Sequence, residues 1–246
     1  MRLQNLHPWN LGKDEALALQ RQLAKRTVKR GQPEKVNLIA AADISAVSQG
    51  GVGRGGVVVV DYPEMNLVEV QIKEGTVDFP YIPGLLAFRE LPLHLAAFAA
   101  LEHTPDLVLV DGQGLAHPRR LGIACHLGLW LEVPTIGCAK SRLCGQHHAL
   151  PQSEGSFVEL RDGADVIGAA LRTKTGCNPV YVSVGHKIDL EAALGWVSKT
   201  TASYRLPLPL RLAHQAAGGM IEETESLPTA ATIIRRTKRC QTSLAV

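Results

Sequence analysis

DLVLVDGQGLAHPRRLGIACHLGLWLEVPTIGCA, residues 106–139, reads as a strand, a helix and a second strand. Asp106–Asp111 is a short apolar run closed by a carboxylate. Residues 119–132 have helical character, and Thr135–Ala139 is apolar again. Strands separated by a helix pair in parallel through a right-handed crossover. Upstream, residues 89–103 are rich in Leu and Ala and predict a helix, with Pro92 tolerable in its first turn. Before them, Val36–Ile44, Gly56–Asp61 and Leu67–Lys73 are β-like runs separated by turn chemistry, which suggests an antiparallel meander. Residues 12–30 read as a further helix. Downstream, residues 145–165 are a polar excursion. Val166–Thr173 and Val180–His186 are two more strands, and Asp189 caps a helix that runs to Thr200. Beyond residue 205 the chain is Pro-spaced, then Ala-rich, and it ends in a cluster of Arg235, Arg236, Lys238 and Arg239. The expected fold class is α/β: a mixed sheet of three antiparallel strands, then parallel αβ units, with helices on its faces. One catalytic domain is expected over residues 1–225, followed by a basic tail over 226–246.

Composition narrows the function. The 246 residues suffice for a core without disulfides, and 46% hydrophobic against 20% charged residues argues against disorder. A net charge of +3 permits a polyanionic partner and excludes a histone-like electrostatic binder. Aromatics at 4% weaken any reading built on stacked single-stranded bases. No run reaches the length of a membrane span, and the N-terminus lacks the pattern of a signal peptide. Five scattered cysteines without a C-x-x-C point to reduced thiols and a cytoplasmic address. Gly51-Val52-Gly53-Arg54-Gly55-Gly56 satisfies G-x-G-x-x-G, but a strand of valines follows where a dinucleotide site needs a helix N-terminus. The glycines read as a hairpin connection, and no nucleotide cofactor is expected.

Three acids stand in unusual places. Asp43 follows the apolar run Val36–Ala42, Asp111 ends the strand Leu107–Val110, and Glu90 opens a helix. An acid at the end of a buried strand costs desolvation energy unless a positive partner sits there. An Asp, Glu and Asp set suits Mg²⁺, with Mn²⁺ as a substitute; no Cys or His clusters beside these acids to suggest zinc. Asp111-Gly112-Gln113-Gly114-Leu115-Ala116-His117-Pro118-Arg119-Arg120 adds glycines for close backbone approach, a histidine that can shuttle protons, and two arginines suited to phosphate. Lys140, just after TIGCA, is placed to stabilise charge on a phosphoryl oxygen. Pro80-Tyr81-Ile82-Pro83 is a stiff segment with a bulky tip, the kind of wedge that parts a base stack.

These residues together resemble the endonuclease V (deoxyinosine 3′ endonuclease) family. The resemblance rests on Pro80–Gly84, Phe88-Arg89-Glu90, Pro105–Leu107 leading to Asp111-Gly112, His117–Gly122, Val133–Gly137 and Ala139-Lys140. Cys144-Gly145, Cys177-Asn178-Pro179, Gly185-His186 and Tyr204-Arg205-Leu206-Pro207 extend it. It implies a ribonuclease H-like fold and Mg²⁺-dependent cleavage of DNA at the second phosphodiester bond 3′ to a deaminated base, leaving 3′-hydroxyl and 5′-phosphate. It further implies Asp43, Glu90 and Asp111 as metal carboxylates, with His117 and Lys140 as active-site helpers. Tyr81 would be the wedge beside the lesion, and Leu86, Gly112, Ile123 and Leu143 the base pocket. The expected partner is DNA containing deoxyinosine, met by a monomer. Two alternatives stay open: an endoribonuclease specific for inosine in RNA, and a non-cleaving binder of distorted DNA. Gln113 stands where many relatives carry His, so a titrating role is lost there, and Ala46 stands where an aromatic is common.

Overall fold

The computed structural model describes residues 1–45 and 50–221. Ala46 and the basic tail therefore lie outside the described residues. Thirteen elements are described: α1 (Lys13–Ala24), β1 (Leu38–Ser45), β2 (Val52–Asp61), β3 (Leu67–Thr76), α2 (Leu86–Ala100), β4 (Leu107–Val110), α3 (Ile123–Leu131), β5 (Thr135–Ala139), β6 (Phe157–Asp162), β7 (Asp165–Leu171), β8 (Val180–His186), α4 (Leu190–Lys199) and α5 (Leu208–Ala217). The strands form one sheet in the order β3-β2-β1-β4-β5-β8-β7-β6.

At its centre, β1, β4 and β5 are parallel, as strands joined by crossover helices should be. Such strands are covered on both faces, which explains why LVLV and AAA carry no polar residue. One face packs residues such as Leu109, Val182, Val197 and Leu212. The other packs Val59, Val110, Leu91 and Phe98. The antiparallel meander β1–β2–β3 is present as expected.

The strands beyond β5, whose direction the sequence leaves open, are antiparallel, since β8 pairs with β5 and β7, and β7 with β6. Three expectations are corrected. The polar excursion contains β6, an edge strand in which five of six side chains stay accessible, so a polar sequence costs nothing there. The first helix stops at Ala24 rather than residue 30, because the chain after it runs beside β8: Lys187 N–H donates to Val28 O at 2.7 Å and Asp189 N–H to Gly31 O at 2.8 Å. The glycines at 53, 55 and 56 belong to β2 itself. A Cβ would lie 2.6 Å from Val77 at position 53, 3.1 Å from Leu93 at 55 and 2.7 Å from the Ala217 backbone at 56, so glycine lets α2 and α5 lie close on the sheet. Among the described residues, no helix is long and apolar enough to cross a membrane.

Candidate active site

Strand register brings the acids together. In the parallel β1–β4 pair, Ala42 stands opposite Val110. Asp43 and Asp111 are each one residue further on, so both carboxylates leave the sheet at the same end. Asp43 Oδ1 accepts from Ile44 N–H at 2.8 Å, while its Oδ2 is 2.7 Å from Nδ1 of His214. Asp111 Oδ2 accepts from Nζ of Lys140, the residue that follows β5. Glu90 reaches the same region from α2. It is the fifth residue of that helix rather than its opening one, and it is only 7% exposed.

The electrostatics follow from this crowding. Burial, then Asp43 and Asp111, push the Glu90 carboxyl up to about 8, against a smaller opposing pull from Arg89. Burial and Asp43 also raise Asp111, in spite of Lys140 and His214. Burial opposes the Lys140 charge, but the bond to Asp111 and the charges of Asp111 and Asp43 together outweigh it and raise that group. Among the described residues, no three His, Cys, Asp or Glu side chains close into a metal cage. Lys140 and His214 engage the strand-end aspartates.

A cavity of about 350 Å³ opens beside Asp111 and Lys140. Leu86, Gly112, Ile123 and Leu143 all line it. Gly112 is needed in this wall, because a Cβ there would lie 2.5 Å from Ile123. Tyr81, Ile82 and Pro83 form its rim, with Tyr81 70% exposed. Pro80 does not line the cavity, but it lies in the same fastened segment. At one end, Phe79 O accepts from Nη1 of Arg89 at 2.9 Å. At the other, Gly84 O takes three donors: Gln20 Nε2 at 2.9 Å, Arg119 Nη2 at 2.8 Å and His117 Nε2 at 3.0 Å. Arg119 Nε also bonds Gln20 Oε1.

These bonds engage both ring nitrogens of His117 with the protein. Its Nδ1 accepts from Arg119 N–H at 3.1 Å, so the proton sits on Nε2 and points to Gly84. Burial and the neighbouring Arg119 hold its pKa down to about 4. Arg120 is likewise occupied: its Nη2 meets Asp162 at 2.9 Å and Asp165 at 3.4 Å, tying this turn to the β6–β7 hairpin. Gln113 donates to Ser141 O at 2.8 Å across the cavity wall.

A model of the family Endonuclease V matches residues 21–215. The chain is 52% identical over 221 residues to the endonuclease V of Dehalococcoides mccartyi, covering 90% of this chain and 99% of that one. The chain belongs to the endonuclease V family. It is therefore an endonuclease, and its mixed sheet is the ribonuclease H-like nuclease fold. The crystal structure of endonuclease V from Streptomyces avermitilis superposes with a TM-score of 0.81 at 38% identity, covering 86% of this chain and 93% of that one. The endonuclease V of Ciona intestinalis, crystallised with a 24mer DNA containing an inosine followed by a ribo-adenosine, superposes with a TM-score of 0.73 at 25% identity, covering 84% and 95%.

Two residues of the site escape the sequence reading. His214 lies in α5, inside the stretch read as Pro-spaced and Ala-rich. A helix signal is there in retrospect: Pro207 and Pro209 at the start, Leu208, Leu212 and Ala216 four apart, and Gly218 after the end. Gln20 is a fully buried glutamine in α1, and its bonds to Gly84, Leu121 and Arg119 explain it.

Proposed function

We propose that this endonuclease nicks DNA containing deoxyinosine at the second phosphodiester bond 3′ to the lesion, leaving 3′-hydroxyl and 5′-phosphate. One observation carries the reading: the cavity and the acid group share Asp111 and Lys140 as walls, so a base held in the one sets its strand beside the other. The Ciona intestinalis protein, bound to inosine-containing DNA, supports the substrate class.

A base must leave the duplex for its edge to be read, and the cavity is of small-ligand size with largely apolar walls. Tyr81 projects from a segment fastened at both ends, so it can press into the stack without yielding. Asp43, Glu90 and Asp111 fit a hard divalent cation: they supply only oxygen, and a +2 charge would offset both the burial of Glu90 and the repulsion from the two aspartates that together keep it protonated. Mg²⁺ is the proposed ion, and when bound it supplies Lewis-acid stabilisation of the phosphoryl charge. Lys140 then faces the substrate as a fixed positive charge for the phosphorane-like transition state. His214 orients the Asp43 carboxylate through its 2.7 Å contact. We also assign the protein to the cytoplasm as a monomer, in keeping with the free thiols of Cys125, Cys138, Cys144 and Cys177.

The test is a single-inosine duplex with and without Mg²⁺, mapped to the nucleotide, beside a matched RNA. Asp111→Asn should lower nicking by roughly 10³-fold or more while binding to inosine-containing DNA persists. Full nicking by that variant, or faster cutting of the RNA, overturns the reading.

A further inference from the structure

Cys177-Asn178-Pro179 and Tyr204-Arg205-Leu206-Pro207 have no part in the cleft described so far, yet one side chain joins them to it. The Arg205 guanidinium donates from Nε to Asn178 O at 2.8 Å, and from Nη2 to Pro179 O at 2.7 Å and to Lys140 O at 2.5 Å. The base of this clip is itself held. Thr173 Oγ1 donates to Arg205 O at 2.6 Å, Lys174 Nζ to Ser203 O at 2.8 Å, and Arg172 Nη1 to Cys177 O. The Arg211 guanidinium lies 3.3 Å from the ring centre of Tyr204.

Lys140 needs such support. The β5–β8 pairing ends at Ala139, opposite Tyr181, so the Lys140 carbonyl lies beyond the ladder. The backbone there sets where a long, flexible side chain begins, and Nζ must meet Asp111 Oδ2 at the other end. A planar fork that bridges carbonyls from two segments fixes the peptide plane in a way a point charge cannot.

We propose that Arg205 is a positioning residue that acts through Lys140, holding its ammonium against Asp111 and toward the substrate. This rests on the role given to Lys140 above. The same short segment thus braces both aspartates, with Arg205 reaching Lys140 and, nine residues on, His214 reaching Asp43.

Single-turnover nicking of a single-inosine duplex, with enzyme in excess and Mg²⁺ saturating, separates the first-order rate from the half-saturating enzyme concentration. Arg205→Ala should lower the rate by about 10- to 100-fold, since an ångström of misplacement is enough for that, and leave half-saturation within about threefold. Arg205→Lys keeps the charge but loses the fork, and it should be comparably slow. In a Lys140→Met background, Arg205→Ala and Arg205→Lys should cost nothing further, because the residue they act through is gone. Near-normal rates in either Arg205 variant overturn the proposal. So does a full, additive loss on top of Lys140→Met, which a merely structural arginine would give. Normal nicking by Lys140→Met alone would instead defeat the role of Lys140, a separate failure. Should Arg205→Ala not fold, Arg205→Lys carries the same comparisons.

Discussion

The acid end of the cleft crowds like charges, whereas the wedge end supplies one carbonyl with three donors. Glu90 is buried, and with Asp43 and Asp111 acting on it as like charges it holds its proton near neutrality. Gly84 O is met by Gln20, Arg119 and His117, all from outside its own loop. The first arrangement is destabilising until a cation or a proton relieves it; the second is satisfied before any ligand arrives. The difference separates two jobs. Chemistry needs a site whose charge is incomplete, so that binding an ion completes it. Recognition needs a rigid wall, so that little is spent on ordering it when the base enters.

The sharpest way to break this contrast is to titrate the acid end. Glu90 has a folded pKa of about 8, above the 4.5 of the free side chain. The folded chain therefore holds a proton that the unfolded chain has released. Its contribution is fully present below pH 4.5 and is lost as pH rises through about 8. Metal-free protein should accordingly lose a few kcal/mol of stability between pH 5 and pH 8.5, seen as a falling Tm. Glu90→Gln should flatten that slope and be more stable than the parent at pH 8.5, though inactive. Added Mg²⁺ should raise Tm more at pH 8.5 than at pH 5.5. Equal slopes in variant and parent would mean that Glu90 does not hold the extra proton in the folded chain.

At the wedge end the expected effect is smaller and of another kind. Arg119→Ala leaves Gln20 Oε1 buried and without its donor, which costs about 1–3 kcal/mol. The rim loosens while the acids are untouched. The half-saturating DNA concentration should rise about tenfold, with the first-order nicking rate within a few-fold. A salt titration distinguishes this from the phosphate contact expected on sequence grounds. If Arg119 is a fastener, the slope of log affinity against log salt is unchanged; if it touches phosphate, the slope weakens by about 0.9.

The same contrast accounts for what could be read beforehand. Asp43 and Asp111 are legible because each breaks an apolar run, and an acid there needs a reason within its own segment. The central strands are legible because burial on both faces leaves them uniformly apolar. The fasteners are not, since each is polar for a partner far along the chain: Gln20 is 64 residues from Gly84, and His214 is 171 from Asp43. No local period reports such a pair. β6 is hidden for the opposite reason, because an edge strand can be polar almost throughout and so looks like loop. The wedge segment is legible from its prolines, yet what fastens its start, Arg89 on Phe79 O, comes from the helix that also carries Glu90, and what fastens its end comes from Gln20, His117 and Arg119.

His117 gives the finest test, because its sequence context and its surroundings point to different roles. A proton shuttle in the reaction would contribute about 10²- to 10⁴-fold. A fastener contributes one buried hydrogen bond, and glutamine can supply an N–H in its place. His117→Gln should therefore keep nicking within about threefold of the parent at every pH from 6 to 9. The difference should appear in acid stability. With a folded pKa of about 4 against 6.5 for the free ring, the unfolded chain binds the extra proton, so stability falls as pH drops from 6.5 toward 4. Glutamine removes that loss, and the variant's Tm should decline less steeply than the parent's over this interval. The other buried histidines titrate in both proteins, so the difference between the two curves belongs to position 117 alone. A hundredfold fall in nicking with unchanged acid stability would instead return His117 to the chemistry and leave Gly84 with two fasteners rather than three.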